Sequence, residues 1–284
     1  MNVADRPVTM RQVIDDAADA LAAAGVGSPR VDAELLAAHI AGADRWRLAF
    51  VDPDHDFLTR YRDLVARRAR RIPLQHLTGT AAFGPVTVHV GPGVFVPRPE
   101  TESLLEWALS QTFPPSPVIV DLCTGSGALA LGLAHALPQA RIVAVDDSAE
   151  ALAYARRNAA GTSVELRCAD ATAADVLEEL DGVVDLLVSN PPYIPLGAEL
   201  EPEVAQHDPA HALFGGPDGM AVIDLIAGVA ARLLRPGGAC GIEHDDTTSE
   251  RTVDAFARIG GFTHVTPRHD LAGRPRFVTA VRAG

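Results

Sequence analysis

Five short apolar runs dominate the chain from about residue 100 onward, and helical stretches of about three turns separate them. They are V-I-V-D-L (118–122), R-I-V-A-V-D (141–146), V-E-L-R-C (164–168), V-V-D-L-L-V-S (183–189) and A-C-G-I-E-H (239–244). Strands that are apolar along their whole length must be covered on both faces. Helices in the connections cover them and make them parallel. The expected fold class is therefore α/β, a parallel, doubly covered sheet. Residues 262–266 and 276–281 read as a closing hairpin, and 217–234 as an apolar-faced helix packed on the sheet.

The chain upstream has a different pattern. Residues 8–75 read as a small helical bundle. One helix starts at an N-cap candidate, Thr9, and stops at Gly25; a second opens with Ser28 and Pro29 and closes at Gly42. A third, arginine-rich helix spans 56–71. In 72–97, Val86, Val88 and Val90 alternate with Thr87 and His89 among Gly and Pro, the period of a half-buried strand. The expected organisation is a helical domain over 1–75, a β-hairpin linker over 76–97 and a second domain over 98–284.

Charge narrows the partners. The net charge is −13. Residues 1–75 hold 11 arginines and 11 acids; residues 76–284 hold 13 arginines and 26 acids, and the chain has no lysine. An acidic body repels a phosphate backbone, so direct nucleic-acid binding is not expected, whereas a protein partner is readily accommodated. Arg67, Arg68, Arg70 and Arg71 form the one strongly basic spot; such runs are mostly a solvated helix face, with a partner-binding patch as the alternative. Three scattered cysteines, Cys123, Cys168 and Cys240, fit a reducing cytosol rather than a disulfide framework. The first ten residues lack a signal-peptide pattern, and 221–234, which contains Asp224 and Arg232, is too short to span a bilayer. A cytoplasmic protein is expected, with no membrane association. Oligomeric state is not legible; a monomer is the working expectation.

In such a sheet, ligands bind beyond the carboxyl ends of the strands. There the sequence places D-L-C-T-G-S-G-A-L-A, whose Gly125 and Gly127 allow a tight turn and a close backbone approach ahead of a helix N-terminus. Asp146 ends the next strand, 25 residues after Asp121, where a carboxylate can accept both hydroxyls of a ribose. Asp170 follows the third strand. T-G-S-G-A-L-A also fits the dinucleotide fingerprint G-x-G-x-x-A, so a nicotinamide enzyme is a rival. The fourth strand separates the two, because it ends in S-N-P-P-Y-I-P (189–195). Two prolines cannot continue a sheet, and they stiffen the loop. Hydride transfer has no need of such a loop. Methylation of a planar nitrogen does. An amide NH₂ is a poor nucleophile because its lone pair is delocalised. The Asn190 side-chain oxygen and the Pro191 carbonyl can each accept one N–H, while Tyr193 stacks on the flat group. The methyl donor would be the sulfonium of S-adenosylmethionine, held by the glycine loop and Asp146 and leaving as S-adenosylhomocysteine.

On these residues the chain resembles the release factor glutamine methyltransferase family. The resemblance runs through P-L-Q-H-L-T-G (73–79), F-V-P-R-P-E-T (95–101), D-L-C-T-G-S-G (121–127), V-D-D-S (145–148), S-N-P-P-Y-I-P (189–195) and F-G-G-P-D-G-M (214–220). N-P-P-Y alone is shared with amino-methylating DNA enzymes; together with V-P-R-P-E-T it is much more specific. The resemblance implies a class I S-adenosylmethionine-dependent methyltransferase domain, Rossmann-like with a seven-stranded sheet, and an N-terminal helical domain that helps dock the substrate. It implies methylation at N5 of the glutamine in the Gly-Gly-Gln motif of class 1 peptide chain release factors. Carried over by position, the donor lies against Asp121, Cys123, Thr124, Gly125, Ser126, Gly127, Asp146, Asp170, Ala171 and Asn190. The substrate glutamine lies on Asn190, Pro191, Pro192 and Tyr193, with Arg98 and Glu100 lining the donor cleft or holding its lid, or else forming a structural ion pair. Two positions depart from the family. Cys123 stands where Gly is usual, and Ala171 where an aromatic or bulky residue often stacks on adenine.

Other candidates carry less. His207 and His211, with Asp208 and Glu203 nearby, have metal-ligand spacing, but Pro209 interrupts the helix and the chemistry needs no metal, so none is expected. Cys123 has no partner His and reads as a small buried residue. Glu243 and His244 face the crevice edge and suggest a supporting role, and 268–277 reads as a substrate-facing loop or a hairpin turn. The rival functions are methylation of a ribosomal-protein glutamine, a DNA or RNA amino-methyltransferase disfavoured by the acidic charge, and a non-catalytic adaptor disfavoured by intact Asn190 and Tyr193.

Overall fold

A computed structural model describes residues 8–284; the signal-peptide reading of the first ten residues falls largely on 1–7, outside the described residues. The chain divides into two compact units. Among the described residues, one is 8–79 with 201–207, and the other is 80–200 with 208–284.

The first unit contains helices α1 (Met10–Ala23), α2 (Pro29–Ala41), α3 (His55–Ala69) and α4 (Leu74–Thr78). Thr9 caps α1 in a reciprocal box, accepting from the Gln12 amide while the Gln12 side chain accepts from Thr9. Ser28 precedes α2 as expected, but its hydroxyl turns to Asp32 (3.0 Å) rather than to a backbone amide. Asp54 caps α3 through the Phe57 amide (2.8 Å). The unit's core forms around Leu21, Ala33, Leu36, Ala37 and Tyr61, whose phenol donates to the Ala33 carbonyl (2.8 Å).

The second unit begins with a hairpin of β1 (Thr80–Phe83) and β2 (Val86–His89), paired antiparallel from Thr80↔His89 to Phe83↔Val86. Helix α5 (Glu102–Leu109) follows, then β3 (Val118–Leu122), α6 (Ala128–Ala136), β4 (Arg141–Asp146), α7 (Ala149–Asn158), β5 (Glu165–Cys168) and β6 (Val184–Ser189). Beyond Leu200 the chain adds α8 (Pro202–His207) to the first unit, then returns at Asp208. It continues through α9 (Ala221–Leu233), β7 (Leu234–Glu243), α10 (Ser249–Ile259), β8 (Phe262–His269) and β9 (Pro275–Arg282). Among the described residues, β3 to β9 form a seven-stranded sheet in the order β5-β4-β3-β6-β7-β9-β8. Pairings from β5 to β7 are parallel, and β9 inserts antiparallel between β7 and β8. The chain winds outward from β3 to β5, then restarts at β6 on the other side of β3. The crevice above the carboxyl ends of β3 and β6 is therefore the switch point.

Alternate residues of each central strand enter different cores, which is what cover on both faces requires. Val120, Leu122, Val143 and Leu187 pack with Ile223, Ile226, Leu233 and Phe256. Ile119, Ile142, Leu186 and Val188 pack with Leu104, Leu129 and Leu133. The strand expected at 239–244 begins earlier, at Leu234, because β7 follows α9 directly and pairs with β6 across a register shift between Val184 and Leu186.

The arginine cluster is split: Arg67 and Arg70 stay on the outer helix face that its composition suggests, while Arg68 and Arg71 turn to carboxylates. Arg68 is buried, donating to Asp32 (2.7 Å) and Glu203 (2.9 Å), and Arg71 also holds Glu203. Burial alone raises the Glu203 pKa, but the Arg71 and Arg68 hydrogen bonds outweigh it and bring it down to about 2. Thus α8 is fastened to the first unit by a buried ion cluster.

Candidate active site

The loops at the carboxyl ends of β3 to β6 enclose a cavity of about 280 Å³. Of the residues expected at the donor and substrate positions, Cys123, Thr124, Gly125, Ser126, Asp146, Asp170, Ala171, Asn190, Pro191, Pro192 and Tyr193 line it. Phe95, Thr101, His211, Phe214 and Val222 line it as well.

The loop after β3 is shaped from below and from the side. Asp121 is fully buried and accepts from the Thr124 hydroxyl (2.6 Å) and the Ala130 amide (3.2 Å). It supports the loop rather than facing the cavity. Burial pushes its pKa up to about 7 against those hydrogen bonds. Gly127 caps α6. Gly125 adopts φ +56, and a side chain there would meet nothing within 4 Å, so its open side leaves room for a ligand. Cys123 also takes a left-handed conformation, φ +60, a backbone region that glycine enters without strain. Asp146 closes the loop: its Oδ2 accepts from the Gly125 amide (2.8 Å) and its Oδ1 from Ser148 (2.9 Å). Burial raises its pKa, opposed by those two amides. Asp170 is held in a tight turn by the Thr172 amide (2.8 Å) and hydroxyl (2.6 Å), and the hydroxyl hydrogen bond is the leading cause of its lowered pKa.

The Asn-Pro-Pro-Tyr loop emerges from β6, whose last residue, Ser189, donates to the Leu122 carbonyl (2.8 Å) and ties it to the end of β3. Residues 213–220 brace it. The Ile194 amide donates to the Leu213 carbonyl (2.8 Å), and Gly215 donates to the Ile194 carbonyl (2.9 Å). A methyl group at Gly215 would stand 2.5 Å from the Pro192 carbonyl oxygen, and one at Gly219 would collide with the Tyr193 carbonyl. The glycines of F-G-G-P-D-G-M are thus the cradle against which the loop backbone rests. The Asn190 amide nitrogen donates to Thr101 Oγ1 (3.1 Å) and the Tyr193 hydroxyl to Glu243 Oε1 (3.0 Å). Among the described residues, neither Asn190 Oδ1 nor the Pro191 carbonyl accepts a hydrogen bond from the protein. Two oxygen acceptors are left on a braced loop at the cavity wall.

Arg98 and Glu100 do not line the cavity. Arg98 pairs with buried Asp208 and lies over the Phe95 ring, 4.8 Å from its centroid, which makes it a structural ion pair. Glu100 acts at a distance, its charge raising the Glu243 pKa. His207 and His211 do not come together as ligands: His207 packs on His76 within the first unit, while His211 lines the cavity. Segment 268–277 is a hairpin turn pinned by Asp270, which accepts from the Ala272 (2.9 Å) and Arg274 (3.0 Å) amides. Thr101 was visible only as the last letter of V-P-R-P-E-T, and nothing in the sequence pairs it with Asn190, 89 positions away. Arg276, whose charge reaches both Tyr193 and Glu243, gave no signal.

Residues 12–79 match the family model described as the PrmC N-terminal domain, and 86–208 match the methyltransferase small domain. The release factor glutamine methyltransferase of Mycolicibacterium smegmatis is 70% identical over 274 residues, covering 96% of this chain and 98% of that protein. The protein of the same name from Mycobacterium tuberculosis is 64% identical over 282 residues, covering 98% and 93%. Among solved structures, a methyltransferase from Pyrococcus furiosus shares the fold, with a TM-score of 0.54 at 18% identity over 77% of this chain and 98% of that one.

Proposed function

The chain belongs to the release factor glutamine methyltransferase family, and from that premise we propose that it moves a methyl group from S-adenosylmethionine to N5 of the glutamine in the Gly-Gly-Gln motif of class 1 release factors. The observation that carries this reading is the pair of free acceptors, Asn190 Oδ1 and the Pro191 carbonyl, on a loop braced by Gly215 and Gly219.

The residues present suit the donor. Gly125 leaves open space at the cavity wall, and Asp146 is already turned by two backbone amides. Thr124 to Ser126, Asp146, Asp170 and Ala171 would hold it, with Asp121 and Gly127 shaping the loop from behind. When bound, S-adenosylmethionine supplies an electrophilic methyl on a sulfonium. The substrate carboxamide donates its two N–H groups to Asn190 Oδ1 and the Pro191 carbonyl. These bonds fix the nitrogen and draw electron density toward it, and Pro192 keeps the acceptors from relaxing away. Tyr193 offers a face to the flat amide. The nitrogen turns acidic only on gaining the methyl, and it then sheds a proton to water. No strong base is required beforehand.

The helical unit is the candidate docking surface for the release factor. It exposes Trp46 (67%) and Phe50 (82%), side chains of the type that anchors protein interfaces. The cytoplasm, where release factors act, is the matching compartment; among the described residues no helix is long and apolar enough to cross a membrane.

The test is incubation with labelled donor and purified release factor, beside the same factor with Gln→Ala in its Gly-Gly-Gln motif. Label is expected on the first and not the second. Label that survives the substitution overturns the substrate assignment. Asn190→Ala is expected to abolish transfer while donor affinity stays within about threefold, and persistent turnover would refute the account of nitrogen activation.

A further inference from the structure

Methyl transfer as described uses one end of the Asn190 carboxamide, and nothing in that chemistry says what keeps that end facing the cavity. A carboxamide flipped by half a turn would present a donor where an acceptor is needed. Behind Asn190 stands a group of buried side chains that the reaction leaves unused. Thr101 (4% exposed) accepts from Asn190 Nδ2 at 3.1 Å. Glu243, at the end of β7, is fully buried and accepts from the Tyr193 hydroxyl at 3.0 Å. Its second oxygen, Oε2, is buried without a hydrogen bond. The Thr101 hydroxyl interacts with the same carboxyl and lowers its pKa, as does Tyr193.

We propose that Thr101 and Glu243 are positioning residues that set the orientation of the Asn190 carboxamide. A carboxylate only accepts, and a hydroxyl has one proton to give. Glu243 accepts the Tyr193 proton at Oε1, and its buried, unpartnered Oε2 is the acceptor open to the Thr101 proton. With its proton turned to Glu243, Thr101 can only accept, so Asn190 must offer it Nδ2. Oδ1 is left facing the cavity. In the reverse orientation two oxygens would face each other with no proton between them, and the Nδ2 hydrogens would point toward the substrate's own N–H groups. The charge of Arg276, which is held by Asp270, favours the charged form of the carboxyl. One buried anion thereby holds both functional ends of the Asn-Pro-Pro-Tyr loop, the amide through Thr101 and the phenol directly.

This inference rests on the reading of Asn190 Oδ1 as the acceptor for the substrate nitrogen, and its test has a readout that does not depend on that reading. Full-length Thr101→Val and Thr101→Ser are compared with the wild type by side-chain amide NMR of Asn190 and by methylation kinetics. In the wild type, one Asn190 Hδ2 resonance is expected to be displaced and protected by the bond to Thr101, to be lost in Thr101→Val and to be kept in Thr101→Ser. That pattern supports the positioning role even where the wild type fails to label glutamine, a failure that counts against the proposed function alone. In kinetics, Thr101→Val is expected to lower kcat by about tenfold to a hundredfold, with donor affinity within about twofold and Thr101→Ser within about threefold of wild type. An unchanged Asn190 resonance in Thr101→Val overturns the proposal. So does equal impairment of the valine and serine variants.

Discussion

The backbone amide of Gly125 donates to Asp146 Oδ2 over 2.8 Å, so the glycine loop after β3 is tied to the last residue of β4. Two sequence signals 21 positions apart thus form one structural unit. Asp146→Ala removes the acceptor that turns the loop as well as the carboxylate facing the cavity. Donor affinity is expected to fall by about tenfold to a hundredfold. Titration calorimetry with S-adenosylmethionine reads this directly, and an affinity within twofold of wild type would contradict the assignment.

Gly215 touches no substrate in the proposed chemistry, yet a methyl group there would stand 2.5 Å from the Pro192 carbonyl oxygen and 2.9 Å from the Tyr193 Cα. Backbone atoms cannot swing aside as a flexible side chain can. Gly215→Ala should therefore displace the acceptors and lower kcat by about a hundredfold, with donor affinity little changed. Wild-type turnover in this variant would mean that the loop is not held by its cradle.

How far the sequence reached depends on how local each feature is. The strand ends, the glycine loop and Asn190 to Tyr193 are contiguous patterns whose residue types state their chemistry, and the cavity brings them together. Arg68 was misread because composition alone cannot distinguish an arginine on a wet helix face from one buried between Asp32 and Glu203, which is 135 positions away. Arg98 and Glu100 lie in a recognisable motif, but the residue of that motif that meets Asn190 is Thr101, a contact only the folded chain creates. The early start of β7 was hidden by Pro236, Gly237 and Gly238, residues that weaken a strand signal and that the structure accommodates beside a register shift.

Cys123 lines the cavity, but its thiol is a poor nucleophile. Burial and the nearby Asp146 and Asp121 carboxylates push its pKa well above the ordinary thiol value. Cys168 is exposed and Cys240 buried. Iodoacetamide on the native enzyme should modify Cys168 first, as peptide mapping by mass spectrometry will show, and leave turnover intact. Cys123→Ala should retain activity within about threefold. Rapid inactivation that tracks modification of Cys123 would overturn this assignment.

Glu243 sets stability against function through pH. Burial pushes its pKa from 4.5 up to about 7, with Thr101, Tyr193 and Arg276 pulling down and Glu100 pushing up. A carboxyl whose pKa is raised on folding favours the fold while it is protonated. Its contribution is complete below about pH 4.5 and is lost as pH rises through about 7. Moving the pKa from 4.5 to about 7 corresponds to roughly 3 kcal/mol. Asp121, raised to about 7 from 3.8, acts with the same sign. Glu243→Gln cannot ionise, so its melting temperature should exceed that of the wild type at pH 8, with the gap narrowing toward pH 5. Turnover should move the other way, because a glutamine no longer obliges Thr101 to donate. In the wild type, kcat is expected to rise as pH passes through about 7 and the anion forms. Calorimetry and initial rates over pH 5 to about 8.5 check both limbs. A variant that melts lower than the wild type at pH 8, or turns over as fast, would show that the buried anion is neither a cost to the fold nor a support to Asn190.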